Sequence, residues 1–281
     1  MRVAIPKFAE KSELFAYLRS NHDKIIKQKK SLPIKSDVME WGCLPIAQRS
    51  QVKADGTQLG PDEIMVDAIA NLSGWCDSYR DVMIKDNWNK TIADKSITYA
   101  LKNHDYSTDA IIGKDPEFYT KNFNLDYFGI KSDIKSAQAL MQRFICVKEY
   151  DPKTFFLYRD NQIKQQSIGL RYIQILLCLD SNLEEDVQYK KNWDKYYKQV
   201  INKDMVDEYG YFFAVIEAQI LENSCVLFGA NTNTGTFATG KAADDAPEDD
   251  EDMPDDDEDI ETEADGKSLQ ESKKRNFIYC N

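Results

Sequence analysis

The 281 residues hold only two histidines, and one of them, His104, stands in LKNHDYSTDAIIG with Asp105 directly after it. Sixty-three residues later the fragment QQSIGLRY carries Ser167 ahead of Ile168 and Gly169. A serine hydroxyl is a weak nucleophile until a base takes its proton. Imidazole is the usual base because it titrates near neutrality. A further polar group then orients the ring. The other histidine, His22, lies in a polar helical segment, so His104 is the better candidate base. Spacing alone leaves plainer readings open: a His-Asp pair also suits a surface turn, and Ser-Ile-Gly at a strand end also suits a tight corner. The fragment is not the G-x-S-x-G elbow of the α/β-hydrolases.

The elements that would position these residues can be read from periodicity. AEKSELFAYLRSNHDKIIKQKKS has Leu14, Phe15, Leu18, Ile25 and Ile26 at near-helical spacing. EIMVDAIANLSGW alternates like a strand, and DNWNKTIADKS fits a short helix capped by Asp86. SITYALKNHD reads as a strand running into a turn at His104, and NLDYFGIKSDI as a further strand. KSAQALMQRFICVKEY predicts a helix, with Ala137, Leu140, Met141 and Phe144 on one side. IKQQSIGLRYIQILLCLD predicts a long apolar strand, or two, carrying Ser167 at a corner. EEDVQYKKNWDKYYKQVINKD suits an inserted helix or a hairpin, and YFFAVIEAQILENSCVLFGAN supplies the last strands. Strands without regular helical crossovers argue against a doubly wound fold. The expected class is α+β, a mixed and mostly antiparallel β-barrel with surrounding helices.

Composition adds boundaries. Residues 244–265 contain fifteen acids and no Lys or Arg. Without them, the net charge of −12 becomes 36 bases against 33 acids. The acidity is a local tract, expected to be disordered because it cannot bury enough apolar surface to offset its chain entropy. NTNTGTFATG, residues 231–240, reads as a linker, and the last fifteen residues turn basic. The expected organisation is a helical extension or pro-segment over 1–60, a catalytic domain over 61–240 and a tail over 241–281. The six cysteines show no C-x-x-C pair and several sit in apolar runs, which suggests buried reduced thiols. With so few histidines, neither a metal nor another cofactor is expected. No run reaches the roughly 20 apolar residues of a membrane helix, and no secretory leader pattern is present at the start. An intracellular, membrane-free protein is expected.

Three fragments in order resemble the prohead serine protease family of tailed phages. GWCDSYRDVMIKDNWNKTIADK followed by LKNHD and AIIG is similar to that family's turn, helix and strand ending in His-Asp and closing at Ile-Gly. QQSIGLRY is similar to its serine motif. EAQILENSCVLFGAN is similar to its Leu-x-Glu-x-Ser strand. Gly229 departs from the family's proline, Arg80 stands where glycine is usual, and residues 181–210 look inserted. The resemblance implies an assemblin-like fold, related to the herpesvirus maturation protease. It implies His104 as general base, Ser167 as nucleophile and Glu222 as third member, with Glu217 as the alternative. Residues five apart on a strand face opposite ways, so at most one of the two glutamates should meet the histidine. The implied activity is capsid maturation in the host cytoplasm, inside the immature prohead. Its partners would be the scaffold or core protein and the major capsid protein, with self-cleavage and self-association, and no direct nucleic acid. A non-catalytic scaffold protein with a degenerate protease domain is the alternative.

Overall fold

The computed structural model describes residues 5–31, 47–48, 58–227 and 234–239. The elements in chain order are α1 (Lys11–Ser20), α2 (His22–Ser31), β1 (Ala47–Gln48), β2 (Glu63–Leu72), β3 (Asp81–Met83), α3 (Asn89–Ala93), β4 (Tyr99–Lys102), β5 (Gly113–Asn124), β6 (Ser136–Val147), α4 (Pro152–Arg159), β7 (Gln165–Leu179), α5 (Val187–Tyr196), α6 (Lys203–Tyr209), β8 (Tyr211–Val226) and β9 (Gly235–Thr239). The acidic tract, Cys43, Cys280 and Gly229 lie outside the described residues.

The protein is α+β. Five strands form one sheet in the order β1-β9-β2-β6-β5, antiparallel except for β1 beside β9. The second sheet is built on β8. The long β7 runs antiparallel along one edge, while β3 and β4 both lie parallel to the other edge, at Phe213–Val215 and Glu222–Cys225. Among the described residues the two sheets are not closed into the expected barrel. They touch at corners, through Ile112 N–H to Ala100 O at 3.0 Å and Thr236 N–H to Lys164 O at 3.3 Å.

The largest core cluster joins both sheets and the N-terminal helices. It holds Ala70 and Leu140, then Ile168, Leu170 and Tyr172 of β7, then Val215, Ala218 and Ile220 of β8, with Leu14, Phe15 and Leu18 of α1 and Ile25 of α2. The N-terminal helices therefore pack behind the strand that carries Ser167. Arg19 Nη1 reaches the buried Asp186 at 2.7 Å, tying α1 to the 181–210 segment, which is helical. Gly210 ends α6 in a left-handed turn, where a Cβ would lie 2.9 Å from Phe15.

Several expected elements are corrected. The helix predicted over 135–150 is instead the interior strand β6, flanked by β2 and β5 and buried along most of its length. A strand buried on both faces loses its alternation, and its apolar run then mimics a helical stripe. The expected strand NLDYFGIKSDI is instead a 3-10 turn at Leu125–Phe128, closed by Gly129 at φ 67°. The strand lies earlier, as β5, with Pro116 at its register shift. The expected linker contains β9, which sits between β1 and β2. Asp86 does not cap α3; its carboxylate accepts from Gln138 Nε2, and Gln138 Oε1 accepts its N–H, both at 2.8 Å. The Ser-Ile-Gly unit lies within β7 and is no corner. Cys76, Cys146, Cys178 and Cys225 are buried free thiols, as expected.

Candidate active site

β8 is the platform of the site. Ser167 of β7 lies opposite Ser224, and Gly169 opposite Glu222, so all four share one face. On the other edge Leu101 of β4 also pairs with Ser224. After Lys102 the chain turns back over β8. Asn103 and His104 take φ of 56° and 54°, the left-handed region in which side chains are uncommon. Two such residues in succession store strain of about 1–3 kcal/mol each, sustained only where the surroundings over-determine them. The turn is held by Asn103 N–H to Cys225 O at 3.0 Å and by His104 N–H to Ser224 Oγ at 3.0 Å.

The imidazole of His104 thereby lies between a serine and a glutamate. Its Nε2 is 2.7 Å from Ser167 Oγ and its Nδ1 is 2.7 Å from Glu222 Oε1. Ser224 Oγ donates to the second carboxylate oxygen, Glu222 Oε2, at 2.6 Å. A carboxylate only accepts, so the network assigns the ring proton to Nδ1 and leaves the Nε2 lone pair facing the Ser167 hydroxyl. The site is largely buried, with Glu222 at its base: Ser167 is 3%, His104 8% and Glu222 0% exposed. In such surroundings these hydrogen bonds are stronger than in water. Near them stands Tyr106, itself 54% exposed, whose phenol is held above its ordinary pKa by partial desolvation and then by the charge of Glu222.

The structure distinguishes the candidate residues. Glu222 reaches His104, whereas Glu217 pairs with Lys90 at 2.9 Å on the partly exposed rim of the sheet. Asp105 accepts the Ser107 N–H at 2.8 Å and shapes the turn. His22 bonds Asp23 at 2.9 Å and rests against Tyr189, apart from this site. Arg80, where glycine was expected, does take a left-handed φ of 61°, with its guanidinium 3.6 Å above the Tyr209 ring.

Two contributors were not foreseen in these roles. A Cβ on Gly169 would run into the Glu222 carboxyl, with Cδ only 2.8 Å away, so glycine opens the room this carboxylate occupies. Ser224 had appeared only as the last letter of a strand motif. Behind the site, on the opposite face, Gln166 Nε2 donates to Tyr158 Oη at 2.9 Å, and Thr234 Oγ1 donates to Gln166 O at 2.7 Å. These bonds fix the backbone one residue before Ser167. Their donors and acceptors are far apart in sequence, which leaves no local signal to find.

The arrangement can perform acyl transfer: a hydroxyl, a base placed to take its proton, and an anion that orients the base and stabilises its protonated form. Among the described residues no group of three or more His, Cys, Asp or Glu side chains could hold a metal ion, and no helix is long and apolar enough to cross a membrane. Comparison with protein-family models, with curated proteins and with solved structures found no match.

Proposed function

We propose that this chain is a serine endopeptidase of the capsid-maturation type, with an assemblin-like relation between its nucleophile strand and its histidine turn. The observation that carries the reading is the run Ser167–His104–Glu222, with both bonds at 2.7 Å. The resemblance of the three fragments to phage prohead proteases supplies the class of substrate. The three residues of the run come one from each fragment.

Ser167 Oγ attacks the scissile carbonyl carbon as its proton passes to His104 Nε2. Glu222 holds the Nδ1–H and stabilises the imidazolium. Collapse of the tetrahedral adduct breaks the C–N bond, and His104 returns the proton to the departing amine. A water gives its proton to the same nitrogen as it adds to the ester left on Ser167. Collapse of that adduct breaks the bond to Ser167 Oγ, which takes the proton back from His104 as the acid leaves. The substrates would be scaffold or core protein, the major capsid protein and the chain itself, inside the immature prohead in the host cytoplasm.

The test joins two assays. A fluorophosphonate probe, which phosphonylates activated serines, should label Ser167, as mapped by mass spectrometry. Co-expression with the chain's own scaffold and capsid proteins should yield fragments with the wild type and none with Ser167→Ala. A folded wild type that neither labels nor cleaves would sink the reading in favour of a non-catalytic scaffold protein. Labelling without cleavage would keep the serine chemistry and remove the proposed substrates.

A further inference from the structure

We infer that Ser224 is a positioning residue for the His104–Glu222 pair, coupling the strained histidine turn to the carboxylate. The inference rests on the endopeptidase reading for its kinetic consequence, and on geometry alone for its structural one.

One hydroxyl performs two tasks. Ser224 Oγ accepts the backbone N–H of His104 at 3.0 Å and donates its own proton to Glu222 Oε2 at 2.6 Å. The first bond holds a residue at φ 54° that would otherwise relax to commoner dihedrals. The second leaves Glu222 Oε1 turned toward Nδ1. The same atom thus fixes where the ring starts and where its partner points. Ser224 is fully buried, so bulk water does not compete for either bond. Its place on β8 is also determined: Ser167 is its neighbour on β7 and Leu101 its neighbour on β4, so it lies between the two strands whose residues must meet. Ser224 touches neither the nucleophile's proton nor the scissile bond. Its effect passes through His104 and Glu222, as outer-shell partners act through the ligands they orient.

The experiment compares Ser224→Ala and Ser224→Thr with wild type, each corrected for its folded fraction by near-UV circular dichroism. The first readout is fluorophosphonate labelling of Ser167, separated into maximal rate and probe affinity. The second is the downfield proton resonance of the His104 Nδ1–H bonded to a carboxylate. Ser224→Ala should lower the maximal rate about 10- to 100-fold with probe affinity unchanged, and should shift or broaden the resonance. Ser224→Thr, which keeps a hydroxyl, should restore both toward wild type. A wild-type rate and an unmoved resonance in Ser224→Ala would overturn the inference. So would equal slowing in both variants with the resonance in place, since that marks a packing effect. If wild type itself does not label, the endopeptidase reading fails separately, and the resonance still decides whether Ser224 holds the pair.

Discussion

β7 carries a buried polar cluster on each face. On one face lie Ser167, His104, Glu222 and Ser224. On the other, Tyr172 Oη donates to Asp81 Oδ2 at 2.8 Å, and Lys29 Nζ of α2 donates to Asp81 Oδ1 at 2.5 Å. The Lys29 ammonium also lies 4.4 Å from the centre of the Phe213 ring. Close by, Asp77 Oδ1 accepts the N–H groups of Tyr79 at 2.8 Å and Asp81 at 2.9 Å. Both clusters are removed from water, but they do different work. The first places the Ser167 hydroxyl 2.7 Å from a ring nitrogen positioned to take its proton. The second matches a cation to an anion and adds a ring face, which fastens α2 to the sheet. Buried polarity serves chemistry where a proton has somewhere to go, and serves docking where formal charges already cancel.

The largest expected effect breaks the first cluster. Ser167→Ala should lower fluorophosphonate labelling and cleavage by about 10⁴-fold or more, with melting temperature little changed. His104→Ala should do the same to activity while also lowering stability, because it leaves the buried Glu222 without its partner. The second cluster should respond in the opposite sense. Lys29→Ala leaves Asp81 buried without its cation and should cost about 3–5 kcal/mol in denaturant unfolding, while the folded fraction keeps its labelling rate. If Lys29→Ala slowed labelling of folded protein, the two faces of β7 would be coupled and the contrast would fail.

Gly169→Ala sharpens the contrast within the first cluster. The added methyl collides with the Glu222 carboxyl, so labelling should fall about 10- to 100-fold, more than helix or strand propensity would suggest. Asp77 offers a titration of the second. Burial and then the charge of Asp81 push its carboxyl up to about 7 from an ordinary 3.8. Both backbone N–H groups fall on Oδ1, leaving Oδ2 for the proton. A raised carboxyl binds its proton more tightly in the folded state. That stability is fully present below pH ~4 and is lost as pH rises through about 7, at up to ~1.4 kcal/mol per pH unit. Unfolding curves across this window should show the slope, and Asp77→Asn should flatten it. The smallest effect belongs to Glu217→Gln. It breaks a surface pair with Lys90 and should change stability by less than about 1 kcal/mol and labelling not at all.

The residues that meet at the site were more legible than the elements that carry them. Histidine is scarce in this chain, so His104 stood out on chemistry alone. Strand alternation did not choose between Glu222 and Glu217; the resemblance favoured Glu222, and the register shift that leaves Leu221 unpaired interrupts the alternation between them. Ser224 and Gly169 could not be given their roles in the same way. One acts through a turn 120 residues earlier and the other through a side chain on the neighbouring strand. The errors in the fold have a shared origin. β6 lies mid-sheet and is buried on both faces, so neither face showed the polar residues that mark a strand's period. β9 is built of Gly, Thr, Phe and Ala, and its polar threonines are buried by bonding β7 and the residues before it: Thr236 Oγ1 donates to Ile163 O at 2.8 Å. Sequence reads such residues as linker because their partners are tertiary.

β9 has a consequence for timing. It is the last described strand, yet it fills an interior place in its sheet, and Thr234 clasps the carbonyl next to Ser167. A nascent chain from which His104 and Ser167 have already emerged still lacks Glu222, Ser224 and this clasp. Pairings of such sequence separation form late and slowly. The ribosome must deliver residues beyond 230 before the nucleophile strand is fixed, so any activity of this site would begin after synthesis of the domain and not during it.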